Sequence, residues 1–299
     1  MGARAFRGRR HIARNTDGLA AVTFYFNYAN CPRLRQNAER FLEHWKGFEV
    51  PLYVVEVVFG RRKPHLTGSN VAVVRVMDQL FHKESAVNYA VRHLPREKTM
   101  ITWIDSDLIF DLRRLRLLPA MLERHRAVQL FSEIQYLGPD GEHEDRLKRS
   151  FVEDQRNGYH GGGWAMRREL FEAIGGLSEC SITGGGDSVF LMALYGPQLV
   201  DRWSWYIDKH HDALRANMRQ YAASGHELLR GSVGCLGIKA QHLWHGTTNQ
   251  REYQSRHRII ADLTAANTQL DSNGFVELVH APKVRLAIAD YWKRRKCNE

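Results

Sequence analysis

Residues 50–59 read VPLYVVEVVF, a near-continuous apolar run. A strand with one wet face alternates apolar and polar residues, whereas one that is apolar throughout is covered on both faces, as in a parallel sheet. That demand constrains the fold more than any other stretch, because helices must then flank the sheet on both sides. Residues 20–28 (AAVTFYFNY) are rich in aromatic and β-branched side chains and predict a first strand, broken at Asn30-Cys31-Pro32. Leu34, Ala38, Phe41, Leu42 and Trp45 then recur at helical spacing. After a polar, basic loop over 60–68, residues 71–76 predict another strand. Ala86, Val87, Ala90, Val91 and Leu94 give an amphipathic helix over 81–94, stopped by Pro95, and residues 100–104 form the next strand. The order predicts a mostly parallel, twisted α/β sheet with a ligand crevice at the carboxyl ends of its strands.

Asp105 and Asp107 fall at such an end, one residue apart. Two hard oxygen ligands on one short loop suit Mg²⁺ or Mn²⁺ carried on a diphosphate. A plain turn between strands uses the same residue types, so the pair draws its meaning from its place in the sheet. Beyond it, residues 113–126 predict a helix with a basic face, 127–136 a strand, and 138–149 a charged surface loop. Gly161-Gly162-Gly163-Trp164 precedes a helix over 168–174, and three glycines that add no packing imply a backbone passing close to something. Gly184-Gly185-Gly186-Asp187 precedes an apolar helix over 189–195, which puts the Asp187 carboxylate at a helix N-terminus, as a cap, a base or both. Trp164, Trp203, Trp205 and Tyr206 suit stacking on a sugar or a base, although core packing is the better reading of Trp203. His242 and His245 are three apart and would share one side of a helical turn.

The net charge of +10 and pI near 9.6 favour anionic partners: nucleotide phosphates, nucleic acid, an anionic lipid or a polysaccharide. Part of the excess sits at the ends, in Arg4, Arg7, Arg9, Arg10 and Arg14 and in residues 293–296. No apolar run reaches the roughly eighteen residues of a membrane span, and the Arg-rich start lacks the apolar centre of a secretion signal. The expectation is a cytoplasmic protein. Four scattered cysteines contain no C-x-x-C pair, which argues against both a zinc ribbon and a disulfide frame. There is no internal repeat and no composition break. The expected organisation is a flexible basic arm over 1–18, one catalytic-sized domain over 19–262, and a C-terminal helical extension over 263–299.

Taken together, these blocks resemble the GT-A fold glycosyltransferases, in pattern the family 2 and family 7 enzymes that use nucleotide-sugar donors. The resemblance covers about residues 20–258. It rests on the first strand, Phe81-x-Lys83 with Asn88, Asp105-Ser106-Asp107, the glycine segment over 161–176, Gly185-Gly186-Asp187, and His242-x-x-His245. It implies a GT-A (Rossmann-like) fold and metal-dependent transfer of a hexose from a nucleotide sugar, a UDP-sugar before others, with inversion at the sugar. It further implies Asp187 as the base, and a metal site of Asp107 and His245 with Asp105 on ribose or on the metal through water. Lys83, Asn88 and Asn27 would line the donor side. Arg251, Tyr253 and Arg256, after the loop that starts at Gly246, could clamp the diphosphate. Gly162, Gly163, Trp164, Gly185 and Gly186 would meet the sugar or acceptor. The chain departs from the pattern at one point: Gly186 stands where the resemblance implies Glu. That leaves the acceptor open between a saccharide or glycoconjugate and, given the basic ends, a hydroxymethylated base in DNA. A non-catalytic nucleic-acid-binding protein on a degenerate transferase fold is disfavoured by the intact Asp105, Asp107, Asp187 and His245. A nucleotidyltransferase is disfavoured by the Gly-Gly-Asp block.

Overall fold

The structure is a computed structural model, and it describes residues 16–203, 212–247, 249–252 and 255–295. The basic arm from Arg4 to Arg14, Trp205, Tyr206, Tyr253 and Lys296 lie outside the described residues. Along the chain run β1 (Leu19–Phe26), α1 (Pro32–Trp45), β2 (Leu52–Phe59), β3 (Val71–Val76), α2 (Lys83–His93), β4 (Met100–Ile104) and β5 (Leu108–Phe110). They are followed by α3 (Leu118–Leu122), β6 (Ala127–Leu137), β7 (His143–Arg149), β8 (Gly163–Arg167), α4 (Arg168–Ala173), α5 (Gly186–Tyr195) and α6 (Pro197–Arg202). The last elements are α7 (Asp212–Leu229), β9 (Val233–His242), the hairpin β10 (Thr268–Leu270) with β11 (Val276–Leu278), and α8 (Pro282–Arg294).

The main sheet has the order β3-β2-β1-β4-β8-β6-β9-β5, with β7 paired to the far part of β6. Its first four strands are parallel, in register Ala21 with Leu52 and Val22 with Trp103. β8 enters antiparallel between β4 and β6, and β6 pairs parallel with β9. The apolar run of β2 is covered on both faces. Leu52 and Val54 join Phe41 and Trp45 of α1 in one core, while Val55 and Val57 join Ala86, Val87 and Val91 of α2 in the other. Burying each such side chain contributes roughly 1.5–3 kcal/mol, so the run could not serve a half-exposed strand. Glu56, the charge inside it, accepts hydrogen bonds from the backbone N–H of His65 (2.6 Å) and Leu66 (2.8 Å), and so ties down the loop after β2.

Two expectations change and one is extended. Residues 113–126 are a 3₁₀ turn (Leu112–Leu117) running into the short α3, because Pro119 can donate no backbone N–H and sits at the first turn of the α-helix. The stretch over 138–149 is no loop throughout: β7 alternates exposed and half-buried residues at the sheet edge, and its polarity marks an edge strand. The C-terminal extension is helical in α8 as expected, and the hairpin β10–β11 precedes that helix, which packs into the main core. Asp78 accepts from the Leu278 N–H and from Arg285 Nε, Trp292 Nε1 donates to the Gln79 carbonyl, and Trp292 packs 4.9 Å from Phe81.

Asn88 and Asn27 also leave the roles implied for them. The Asn88 side chain donates to the Leu177 carbonyl and accepts from the Leu177 N–H, both at 2.8 Å, and so clamps the turn after α4 to α2. Asn27 donates to the Cys31 carbonyl and accepts from the Cys31 N–H, closing the turn between β1 and α1. Both are buried parts of the frame. Asn88→Ala would orphan a buried donor and a buried acceptor, so it is expected to cost about 2–4 kcal/mol and to lower the melting temperature by several degrees, with Mn²⁺ affinity unchanged. Denaturation and Mn²⁺ titration of the variant beside the parent check the two halves of that expectation.

Candidate functional site

A cavity of about 520 Å³ opens where β1, β4 and β9 end, bordered by α2, α5 and β7. Its floor is the Asp105-Ser106-Asp107 loop, which the backbone holds on both flanks. Asp105 N–H donates to the Gly162 carbonyl (2.9 Å), and Leu243 N–H donates to the Asp107 carbonyl (2.8 Å). The first bond joins β4 to the glycine segment and the second joins it to the end of β9. Two distant parts of the sequence therefore converge on the aspartates.

Asp107, His242 and His245 form the metal-competent cluster: one ligand atom of each lies within 4.8 Å of the others. His245 Nε2 is 2.9 Å and His242 Nε2 3.6 Å from Asp107 Oδ2. The two imidazoles stack, with centroids 5.2 Å apart and planes inclined at 27°. They do not share a helical turn, because His242 ends β9 and His245 lies in the loop that follows. Burial pushes both imidazoles down, His242 to about 4 and His245 to about 3, with Arg251 also lowering them against the pull of Asp107. Burial would raise the Asp107 carboxyl, but the two histidines and Arg251 hold it well below the usual range. A neutral imidazole pair beside an ionised carboxylate is the state that binds a cation. Asp107 Oδ1 and His242 Nδ1 are buried with no hydrogen-bond partner, so a ligand bound here would relieve a polar deficit. Two nitrogens and one carboxylate suit Mn²⁺ and other transition cations better than Mg²⁺, which prefers an all-oxygen shell.

Asp105 stands apart from that cluster. Its carboxylate meets Lys83 Nζ at 2.8 Å, and the same ammonium donates to both oxygens of Asp187 at 2.9 and 2.8 Å. Burial raises the Asp105 carboxyl and Lys83 opposes the rise. Burial also opposes the Lys83 charge, but Asp105 and Asp187 outweigh it and raise the ammonium. Lys83 thus spans from the strand end to α5. Asp187 lies in the first turn of α5 and is not its cap, since Gly185 takes that position at φ 97°. The helix begins earlier than the apolar run suggested. A side chain at Gly161 would strike the Asp187 carboxylate, so the glycine is what keeps that carboxylate open to the cavity.

Glu84 is the cavity acid that sequence reasoning missed. It is buried at 2% exposure, follows Lys83 in the first turn of α2, and burial pushes its carboxyl up to about 8. Its carboxylate occupies the position that a Cβ on residue 186 would need. The space left by the missing Glu side chain at 186 is thus filled by an acid from another helix. The signal was Gly186 itself, a departure from pattern that required something to occupy the gap.

Of the other expected residues, Arg251, Arg256 and Gly185 line the cavity, as do Gly161 and Gly184. Arg256 lies over the Phe81 ring, 4.4 Å from its centroid. Gly162 is positioned behind the loop at φ 81°, while Gly163 and Trp164 belong to β8 and are fully buried. Trp164 is core, its indole N–H donating to the His160 carbonyl at 2.8 Å. Trp203 is nearly buried yet borders the cavity, packed 4.5 Å from His160. Arg295, after the end of α8 and within the basic stretch over 293–296, also lines the wall, as do His160 and Lys148, to which nothing in the sequence pattern had pointed.

No protein-family model matches the sequence, and no curated protein matches it. Comparison with solved structures gives distant matches, at low identity and low TM-score. The catalytic domain of Drosophila β1,4-galactosyltransferase 7, in complex with xylobiose, is 13% identical over 89% of this chain and 96% of that one, with a TM-score of 0.37. Glucosyl-3-phosphoglycerate synthase from Mycobacterium tuberculosis, in complex with Mn²⁺, UDP and phosphoglyceric acid, is 14% identical over 87% and 86%, at 0.41. The 4-diphosphocytidyl-2C-methyl-D-erythritol synthase of Anaerococcus prevotii is 9% identical over 80% and 96%, at 0.36. At such scores the likeness decides no activity, and the chemistry of the site must.

The Glu84 carboxyl gives a pH signature. Its pKa lies near 8 in the fold against 4.5 when unfolded, so the native state binds the extra proton between those values. Stability contributed by the neutral acid is therefore present below about pH 4.5 and declines as pH rises toward 8. Glu84→Gln keeps the neutral shape, so its melting temperature should match the parent near pH 4.5 and exceed it increasingly up to pH 8. A constant gap across that range would show that Glu84 does not titrate there.

Proposed function

We propose that the protein is a metal-dependent glycosyltransferase moving a hexose from a nucleotide sugar, a UDP-sugar in the first instance, to an acceptor hydroxyl. The observation that carries this is the Asp107–His242–His245 cluster sharing one cavity with Asp187, with Lys83 between Asp105 and Asp187. A bound Mn²⁺ would supply charge neutralisation for a leaving diphosphate. The chain's own groups do the rest. Arg251 and Arg256 line the same cavity, where their guanidinium groups suit phosphate oxygens. Asp187 faces the open cavity as the proton acceptor for the incoming hydroxyl. Lys83 neutralises that carboxylate; an incoming diphosphate competes for the ammonium, which frees Asp187 as the donor arrives. With Asp187 taking the acceptor proton, the hydroxyl oxygen would bond to the sugar carbon opposite the departing diphosphate, so inversion is the expected outcome.

A second reading keeps this chemistry and changes the acceptor to a hydroxymethylated base in DNA, supported by the charge of +10 and the arginine-rich ends. Among the described residues no helix is long and apolar enough to cross a membrane.

A thermal-shift panel of UDP-, GDP- and CDP-sugars with and without Mn²⁺ tests the donor, since binding raises the midpoint by mass action. Asp107→Ala is expected to abolish the Mn²⁺-dependent shift and keep the fold; a shift equal to the parent's would remove the metal from Asp107. Asp187→Asn should bind donor normally and lose at least roughly a hundredfold in kcat, the scale of a missing general base. Turnover near that of the parent would make Asp187 a structural partner of Lys83.

A further inference from the structure

The cavity carries more positive charge than a nucleotide sugar can use. Among the described residues, Lys83, Arg146, Lys148, Arg251, Arg256 and Arg295 line it against four carboxylates, those of Glu84, Asp105, Asp107 and Asp187, an excess of two even with every acid ionised. A divalent cation raises the excess to four, and the diphosphate of a donor brings two negative charges. Two positive charges remain in a partly buried space, where uncompensated charge is unfavourable.

The surplus has a location. On β7 the exposed residues alternate with half-buried ones, and Glu144, Arg146 and Lys148 form the half-buried row. The Arg146 guanidinium lies 3.9 Å over the Tyr136 ring, and Tyr136 stacks 4.5 Å from His242, so Arg146 belongs to the metal side. Lys148 is different. Among the described residues it has no carboxylate at ion-pair distance, although it borders the cavity. It acts on the imidazole of His160, lowering it together with burial, while Asp187 acts on the same ring in the opposite sense. His160 is fixed between α5 and the aromatic wall: Nδ1 lies 2.9 Å from Ser188 Oγ, and the ring packs on Trp203. Lys148, His160 and Asp187 thus line one cavity, with the imidazole anchored within it.

We propose that this is the acceptor subsite, and that the acceptor is a small hydroxylated molecule bearing a phosphate or carboxylate group, which Lys148 holds while its hydroxyl faces Asp187. The inference rests on the glycosyl-transfer reading and narrows its acceptor. Trp203 and His160 offer aromatic surface to the carbon skeleton, and the Lys148 ammonium supplies the charge that the anionic group meets.

The test is calorimetric titration of the full chain loaded with Mn²⁺ and UDP, using glycerol 3-phosphate, glycerate and glycerol as probes. Glycerol 3-phosphate or glycerate should bind at least about tenfold more tightly than glycerol, the scale of one charge-assisted contact, and whichever binds names the anion. Lys148→Met should lose that preference, and Lys148→Arg should regain most of it, with Mn²⁺–UDP affinity unchanged in both. Equal binding of anionic and neutral probes, or a preference that survives in Lys148→Met, overturns the proposal. Binding of a duplex oligonucleotide in place of both small anions also overturns it, and moves the acceptor to a nucleic acid. Failure of Mn²⁺–UDP to bind at all would instead sink the glycosyl-transfer reading. In that case the Lys148 dependence of inorganic phosphate binding still decides this one, because a phosphate seated on Arg251 and Arg256 would ignore the substitution.

Discussion

The site depends on one buried ammonium. Lys83 touches Asp105 at 2.8 Å and Asp187 at 2.9 and 2.8 Å, and Glu84 follows it in the chain with its own buried carboxyl. Three elements that are far apart in sequence, the end of β4, the start of α2 and the start of α5, meet at that single charge. Such a cluster is easier to hold the nearer its charges come to balance, since each ion alone would face a desolvation penalty of several kcal/mol. With Glu84 neutral and both aspartates sharing Lys83, the group carries one net negative charge instead of two, which lowers its cost in a buried place and leaves it suited to a further cation. The sharing also makes the arrangement responsive, because a ligand that competes for the ammonium alters the charge felt by both aspartates at once.

Beside this cluster lies a second one with the opposite design. Asp107 is surrounded by histidines and Arg251, so its carboxylate is kept ionised and the imidazoles neutral. Two aspartates one residue apart thus sit in unlike surroundings, one paired with an ammonium and one with imidazoles. The backbone bonds from Asp105 N–H to Gly162 and from Leu243 N–H to Asp107 fix that division, by holding the loop between two different elements. The Asp-Ser-Asp motif is therefore less a single site than the seam between two.

Gly186 shows how a local departure is absorbed. Where the resemblance implies an acid in sequence, this chain carries none, and Glu84 enters the open volume from α2. An acid supplied from the neighbouring helix is held by different backbone, so this part of the cavity changes shape while keeping a carboxyl.

The parallel half of the sheet was legible in the chain alone. A run such as residues 50–59 has only one satisfactory environment, and the helical spacings around Phe41 and Val87 supply the layers that cover it. Local pattern likewise placed Asp105 and Asp107 at a strand end, and Asp187 after a glycine turn into a helix. Partners that meet only in three dimensions were not legible. The edge strand β7 reads as a charged loop because its inward row is charged too, and nothing local reports the cavity it faces. Asn27 and Asn88 look available for a donor, yet the fold commits their amides to the backbone of Cys31 and Leu177. His242 joins His245 because a strand end and the loop after it bend toward one carboxylate, a meeting that their spacing of three suggested for a different reason. Burial, too, is a tertiary quantity: it is what keeps Glu84 protonated and the imidazoles of His242 and His245 neutral, and no pattern of neighbours in the chain encodes it.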